Sequence, residues 1–333
     1  MTHEWTTEEV LGVGSSFQEC RILLTAAELD LFSKLKDQAR TVDEIADAEG
    51  WGARGLRILM DALAAMGFLL KEPEDRYRAE PSVARLLGSD GDKSVLPLVL
   101  HRVTMWKSWS NLTDIIRTGK NEHRIDIESR PPGELEAFIG AMHVIGSRMA
   151  GIIADSLDLA PYSRLLDLGG ASGTYTMAFL ERAPHMHATL FDLPPVIEMA
   201  RERLKESGYL DRVQLVAGDY STDELPSGHD LVLLSAVIHS NSREENRDLY
   251  RRVGRAMESG GMILIRDYIM DDARTFPPDG AIFAVNMLAA TRGGDSYTFA
   301  EVKEDLETAG FQDVRIMREG TRMDQLVAAT KGR

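Results

Sequence analysis

The sequence predicts an α/β protein: a C-terminal doubly wound, mostly parallel sheet with an antiparallel C-terminal hairpin, preceded by a mostly α-helical winged-helix domain. Three observations predict it. From residue 163 onward short apolar runs alternate with helical stretches, as parallel strands joined by crossover helices require. The last two runs, 314–317 and 326–329, flank a turn at Glu319-Gly320 and must pair as a hairpin. Residues 22–77 read in order as helix, turn, helix and short hairpin.

In chain order, apolar positions recur at helical spacing from Ile22 to Leu35. Cys20 lies in this apolar helical stretch, where a buried core thiol is expected. Thr41-Val42-Asp43-Glu44 is a capping box that opens a short helix over 43–48. A helix from Ala53 puts Leu56, Leu59, Leu63 and Met66 on one face and stops at Gly67; Phe68-Leu69-Leu70 then leads through a polar turn to Tyr77. That shape suggests DNA binding, but residues 1–90 hold 10 Lys+Arg against 17 Asp+Glu, so the wing is read as a protein–protein contact.

Residues 95–160 are expected to be helical. Trp106, Trp109, Leu112 and Ile115-Ile116 form one apolar face ended by Gly119, and a single long helix is expected over 134–157 with Phe138, Met142, Ile145 and Met149 in register. Strands are expected at 164–168, 188–191, 213–217, 231–236 and 262–266, making a Rossmann-like sheet. The expected division is 1–92, 93–160 as a helical linker or lid, and 161–333.

A net charge of -15 repels polyphosphates, so no nucleic acid is expected as partner. No stretch reaches the roughly 18 apolar residues of a membrane span, so no membrane contact is expected. Met1-Thr2-His3-Glu4-Trp5 lacks the features of a signal peptide, and a cytoplasmic location is expected. One cysteine excludes an intrachain disulfide and a cysteine metal site.

The first strand runs into Asp167-Leu168-Gly169-Gly170-Ala171-Ser172-Gly173, a turn where glycines let the backbone bend tightly and a ligand approach its amides. Asp192 ends strand two, followed by Leu193; an acid roughly 20 residues beyond such a turn accepts the hydroxyl hydrogens of an adenosine ribose. NAD and S-adenosylmethionine share these two features. Gly218-Asp219-Tyr220, ending strand three, separates them: Asp219 is placed to hold an adenine amino group, and the turn makes no space for a pyrophosphate. S-adenosylmethionine, with S-adenosylhomocysteine as product, is therefore the expected cofactor. Any one of the three acids could be a helix cap, but three at successive strand ends argue for a ligand.

On these residues the chain resembles class I S-adenosylmethionine-dependent O-methyltransferases of the plant caffeate and bacterial natural-product type. The resemblance extends over Ala27-Glu28-Leu29, Leu63-Ala64-Ala65-Met66-Gly67, Leu166-Asp167-Leu168-Gly169-Gly170, Phe191-Asp192-Leu193-Pro194 and Ala309-Gly310-Phe311. It implies an N-terminal dimerisation domain, a homodimer and an acceptor pocket between domains. Ala171 stands where a third glycine is usual, a change expected to be mild because it adds only a methyl group.

Methyl transfer to a hydroxyl needs proximity and a base. His239, after strand four, lies at the carboxyl edge where open α/β sheets build their sites, and it matches the family's general base. Asp267 matches the first of the family's two acids that orient the base. The second position reads Ser296, beside Asp295; His239-Ser240-Asn241 departs from the usual His-Asp-Trp, and Ser235 replaces a frequent lysine at the cofactor. The expected product is a methylated hydroxyl of a small phenolic or secondary metabolite. S-, N- or C-methylation without a histidine base is the alternative, and a cofactor-binding regulator a third. Trp106, Phe138, Met142, Asn286 and Met287 are acceptor-pocket candidates, each as readily explained by core packing. His143 could face the cleft, whereas His185 and His187 belong at the sheet's far end. No metal is expected, although His239, Asp267 and Asp295 are conceivable ligands for a carbon-acid reaction.

Overall fold

The computed structural model describes residues 3–89, 94–122, 124–125 and 127–332; the expected boundary at 92/93 lies outside the described residues. The chain forms two compact units, one up to Thr104 and one from Met105 onward.

The first unit is helical around a small sheet. Helices Phe17–Glu28, Val42–Glu49 and Ala53–Ala65 surround three antiparallel strands in the order Arg40–Thr41, Arg76–Ala79, Leu69–Glu72. The capping box forms as read, with Thr41 and Glu44 each bonding the other's backbone amide. Leu24, Phe32, Leu35, Ile45, Met60, Leu63 and Tyr77 fill the core. The apolar run from Ile22 breaks at Asp30, whose left-handed φ of 49° starts a second helix at Leu31. Cys20 is exposed rather than buried. The core begins at Leu24, and residues 17–20 of that Phe17–Glu28 helix are exposed among the described residues.

In the second unit, strands β1 (Arg164–Leu168), β2 (His187–Asp192), β3 (Val213–Ala217), β4 (His229–Ser235), β5 (Met257–Asp267), β6 (Phe311–Arg318) and β7 (Gln325–Lys331) form one sheet. Its order is β6-β7-β5-β4-β1-β2-β3. Strands β1 to β5 run parallel, β7 pairs antiparallel with β5, and β6 antiparallel with β7. The order reverses between β1 and β4, so a crevice opens at their carboxyl ends. Seven helices matter for the site: α1 (Pro132–Ser147), α2 (Ala150–Asp155), α3 (Thr174–Arg182), α4 (Pro194–Glu206), α5 (Arg243–Ala256), α6 (Pro278–Ala290) and α7 (Phe299–Thr308). One sheet face packs Leu165, Leu190, Leu233 and Leu264 against α2, α3 and α4. The other packs Leu166, Phe191, Leu234 and Ile265 against α5 and α7.

Two expected helices are broken. The run from Trp106 to Ile116 divides into Leu96–Trp109 and Leu112–Thr118. Ser110 Oγ and Asn111 Nδ2 donate to the carbonyls of Trp106 and Lys107, satisfying the last turn and ending it. Gly119 then closes the second piece with φ 76°, as read, while Ile116 points to solvent. The helix expected over 134–157 divides at Arg148-Met149 into α1 and α2. There Gly146 seats α1 against α3, since a Cβ on it would stand 3.3 Å from the Tyr175 ring. Among the described residues no helix is long and apolar enough to cross a membrane.

Candidate active site

The crevice floor is the turn after β1. Gly169 and Gly173 have φ of 70° and 77°, the left-handed region in which glycine carries no Cβ penalty. A Cβ on Gly169 would meet Val237 at 3.0 Å, and one on Gly170 would meet Leu190 at 2.8 Å. Ala171, expected to be a mild change, also has φ 48°, so its methyl group carries a backbone cost of roughly 1–2 kcal/mol.

The three strand-end acids do different things. Asp167 is fully buried, and its Oδ2 accepts from Thr176 N (3.1 Å) and Thr176 Oγ1 (2.6 Å). Its carboxylate is thus spent on the first turn of α3, and burial raises its pKa to about 6. Half-buried Asp192 ties strand end to glycine turn: Oδ2 accepts from Ala171 N (2.8 Å) and Oδ1 from Leu193 N (2.7 Å). Burial raises its pKa to about 6 against those hydrogen bonds. Asp219 organises its own turn, with Oδ1 accepting from Ser221 N (2.8 Å) and Ser221 Oγ (2.7 Å). Gly218 presses on Phe191, where a Cβ would lie 2.5 Å from the ring. Tyr220 donates to Asn241 Oδ1 at 3.4 Å, and burial raises its pKa. Leu193 packs with Phe138, Ala171 and Val196 beside the turn.

A second constellation stands beyond β4 and β5. After Ala236, strained at φ 60°, a 3-10 turn at Ile238–Ser240 carries His239. Its Nδ1–H donates to Asp267 Oδ1 (2.8 Å) and Oδ2 (2.9 Å), and both residues are buried. Tyr268 N also donates to Asp267 Oδ1 at 2.8 Å, fixing the carboxylate. Because the carboxylate only accepts, Nδ1 holds the proton and Nε2 presents a lone pair. The edge of the Phe283 ring covers the imidazole at 4.8 Å. Phe283 escaped the sequence reading, although its spacing four residues before Met287 on α6 was the available signal.

Neither Ser296 nor Asp295 reaches the imidazole. Ser296 Oγ donates to Gly280 O (2.9 Å), and Asp295 pairs with Arg274 (3.0 Å), donating its backbone N–H to His239 O. Asp295 therefore joins no ligand set with His239 and Asp267, and among the described residues no group of three or more metal-ligating side chains occurs.

Of the acceptor-pocket candidates, Asn286 accepts from Trp109 Nε1 at 2.9 Å, which supplies the partner its position on α6 required. Met287 is buried; Trp106 and Met142 are half-buried. Phe138 lies under the Arg130 guanidinium at 4.9 Å. His143 pairs through Nδ1 with Thr174 Oγ1 (2.8 Å), and burial lowers its pKa to about 4, so it is neutral at ordinary pH. His185 and His187 lie at the far end of the sheet, both exposed.

The donor set fits an S-adenosyl ligand: a glycine floor cleared of Cβ atoms, the Asp192 carboxylate beside it, and two unpartnered buried polar atoms, Tyr175 Oη and Arg266 Nε.

Comparison with known proteins agrees. Residues 109–312 match the model of the O-methyltransferase domain and residues 13–89 that of the O-methyltransferase dimerisation domain. The tetracenomycin polyketide synthesis 8-O-methyl transferase TcmO of Streptomyces glaucescens is 33% identical, over 94% of each chain. The 3-hydroxy-5-methyl-1-naphthoate 3-O-methyltransferase of Streptomyces sahachiroi is 32% identical, over 89% of this chain and 87% of its own. The solved structure of PigF with SAH superposes with a TM-score of 0.89 at 24% identity, covering 98% of this chain and 100% of that one. More distant relatives, 28% identical, include the N,N-dimethyltransferase OxyT of Streptomyces rimosus and the L-tyrosine C(3)-methyltransferase of Streptomyces lavendulae. With a glycine-floored crevice, a His–Asp pair beside it and both family models matched, the chain belongs to the O-methyltransferase family, S-adenosylmethionine-dependent enzymes with a dimerisation domain.

Proposed function

We propose that the chain methylates a hydroxyl of a small phenolic or related secondary metabolite, with His239 as general base and Asp267 as the group that orients it. The observation that carries this reading is the buried contact of the imidazole Nδ1 with both Asp267 oxygens at 2.8 and 2.9 Å. S-adenosylmethionine, when bound, supplies an electrophilic methyl group on a sulfonium. Asp192 would hold the ribose hydroxyls, the glycine turn would admit the nucleoside to backbone amides, and Asp219 would face the adenine. Asp167 acts through the fold, as the brace of α3. His239 Nε2 would accept the acceptor's hydroxyl proton, and the Asp267 carboxylate would stabilise the resulting imidazolium without itself taking the proton. Phe283 and Met287 on α6 would keep water from the imidazole, and the Trp109–Asn286 bond would fix that wall of the acceptor pocket. Trp109, Phe138 and Met142 would line this pocket, and the strand ends from β1 onward would carry the donor.

An aromatic hydroxyl acceptor is supported by the tetracenomycin and naphthoate enzymes among the relatives. A second reading, transfer to nitrogen or carbon, draws on OxyT and the tyrosine C(3)-methyltransferase and on Ser296 in place of a second orienting acid. Methyl-labelled donor offered with phenols, amines and carbon acids separates the two. The expected outcome is label on oxygen, with His239→Ala lowering turnover by about 10²-fold or more and leaving S-adenosylhomocysteine affinity unchanged. Unaltered turnover would move the assignment to base-free transfer.

We also infer a homodimer through the first unit. Val10, Leu11, Val13 and Phe17 are exposed apolar side chains on its first two helices, Thr7–Ser15 and Phe17–Glu28, inside or beside the matched dimerisation domain. Light scattering should return the mass of two chains; a monomer at micromolar concentration would refute the inference.

A further inference from the structure

We propose that Arg266 binds the carboxylate of the donor's amino-acid arm, with Tyr175 Oη as second donor; the inference rests on S-adenosylmethionine being the ligand of the crevice.

Arg266 is an isolated buried cation. It ends the core-facing part of β5, paired in register with Ser235 on one side and Leu326 on the other, and is 3% exposed. Nη1 makes one long hydrogen bond to Ser235 Oγ (3.4 Å), and Nε is buried with no partner. The guanidinium lies over the Tyr175 ring at 5.3 Å, and the Tyr175 hydroxyl is likewise buried and unpartnered. Among the described residues no carboxylate lies within 4.0 Å of the Arg266 guanidinium. The acids at neighbouring strand ends are committed: Asp167 to Thr176, and Asp267 to His239 on the opposite face of the sheet.

A buried guanidinium without a counter-charge is costly, and a buried donor without an acceptor adds to that cost. Both defects sit in one place, at the switch point beside the glycine turn and the first turn of α3. A carboxylate would remove both, because its two oxygens match the planar fork of arginine and leave lone pairs for a hydroxyl. The S-adenosyl ligand carries one carboxylate, on its amino-acid arm. Ser235, expected at the cofactor, then acts by orienting Nη1 rather than by carrying charge.

The test compares two ligands by calorimetry: S-adenosylhomocysteine, which has the carboxylate, and decarboxylated S-adenosylmethionine, which lacks only that group. Wild type should prefer the former. Arg266→Met should weaken S-adenosylhomocysteine by about 30-fold or more while leaving the decarboxylated ligand within about threefold, so the preference collapses. Tyr175→Phe, which keeps the ring under the guanidinium, should lower the preference several-fold and covers the case in which Arg266→Met does not fold. Equal losses for both ligands, or no loss for either, would overturn the proposal. Wild type binding neither ligand would remove the cofactor reading itself, and this subsite with it.

Discussion

Asp267→Asn isolates the proposed orienting role, because the amide has the carboxylate's shape but half its accepting capacity. Asp267 accepts from His239 Nδ1 at 2.8 and 2.9 Å and from Tyr268 N at 2.8 Å, and both His239 and Asp267 are buried. An asparagine has one oxygen for these donors. If that oxygen stays on Tyr268 N, its NH2 group faces Nδ1, and the imidazole is stable only with its proton moved to Nε2. The base then lacks its lone pair. A positioned general base is worth about 10²–10⁴ in rate, so turnover should fall by about 10²–10³-fold, which at roughly 1.4 kcal/mol per tenfold is a barrier increase of about 3–4 kcal/mol. Turnover with labelled donor gives the rate and nitrogen NMR of the His239 ring gives the tautomer. Calorimetry with S-adenosylhomocysteine checks that the donor crevice is intact. Turnover within about threefold of wild type, or Nδ1 still protonated in a variant that has lost its rate, would refute the reasoning.

Asp192 and Asp167 have native pKa values raised to about 6 from 3.8, so the folded chain holds protons that the unfolded chain has released. Their contribution to stability is therefore present below pH 4 and is lost as pH rises through about 6. Ribose hydroxyls favour the ionised Asp192, so S-adenosylhomocysteine should bind more weakly below pH 6 and release a proton there, visible as buffer-dependent calorimetric heat; Asp192→Asn should abolish that dependence. Ala171→Gly should raise unfolding stability by up to about 1 kcal/mol in urea titration, because the φ of 48° strains an alanine; a loss of stability would contradict the strain assignment.

The strands of the second unit were legible because each is a short apolar run bounded by polar residues, and the observed β1 and β3 keep the expected bounds. A doubly wound sheet places its site at strand carboxyl ends, so Asp192, Asp219, His239 and Asp267 were legible with the strands. Properties set by a partner distant in sequence were less so. Asp167 reads as a ligand acid until Thr176 is seen to use its carboxylate. Ser296 occupies an acid's position, but its hydroxyl is held by Gly280 O, sixteen residues earlier. The helix breaks at Ser110-Asn111 and Arg148-Met149 do not interrupt the apolar period; at the first, serine and asparagine end the helix through hydrogen bonds that hydrophobic spacing does not record. Arg266 reads only as the last residue of the strand at 262–266, whereas β7 pairs along β5 as far as Asp267 and Arg266 is buried.

Arg266 and Asp267 are adjacent on β5 and take opposite faces of the sheet, as consecutive strand residues must. Arg266 follows Leu264 toward α3 and the proposed carboxylate subsite; Asp267 follows Ile265 toward the face that carries His239. Strand alternation thus keeps the cation of the proposed donor subsite and the anion paired with His239 apart, although their backbones share a peptide bond. Which residue takes which face is set by the register of β5 on β4, where an irregularity lies between the pairs His229↔Met257 and Leu231↔Met262. Gly260, at φ 80°, and Gly261, where a Cβ would stand 2.9 Å from Asp230 O, form that irregularity. Beyond it the pairing is regular from Leu231↔Met262 to Ser235↔Arg266, and β7 pins the same residues from the other side. A slip of one residue would send the guanidinium to the imidazole and the carboxylate to the donor. Donor binding and proton removal, as proposed here, would then fail together, so both proposed sites depend on the register that the glycine pair at the far end of β5 helps to set.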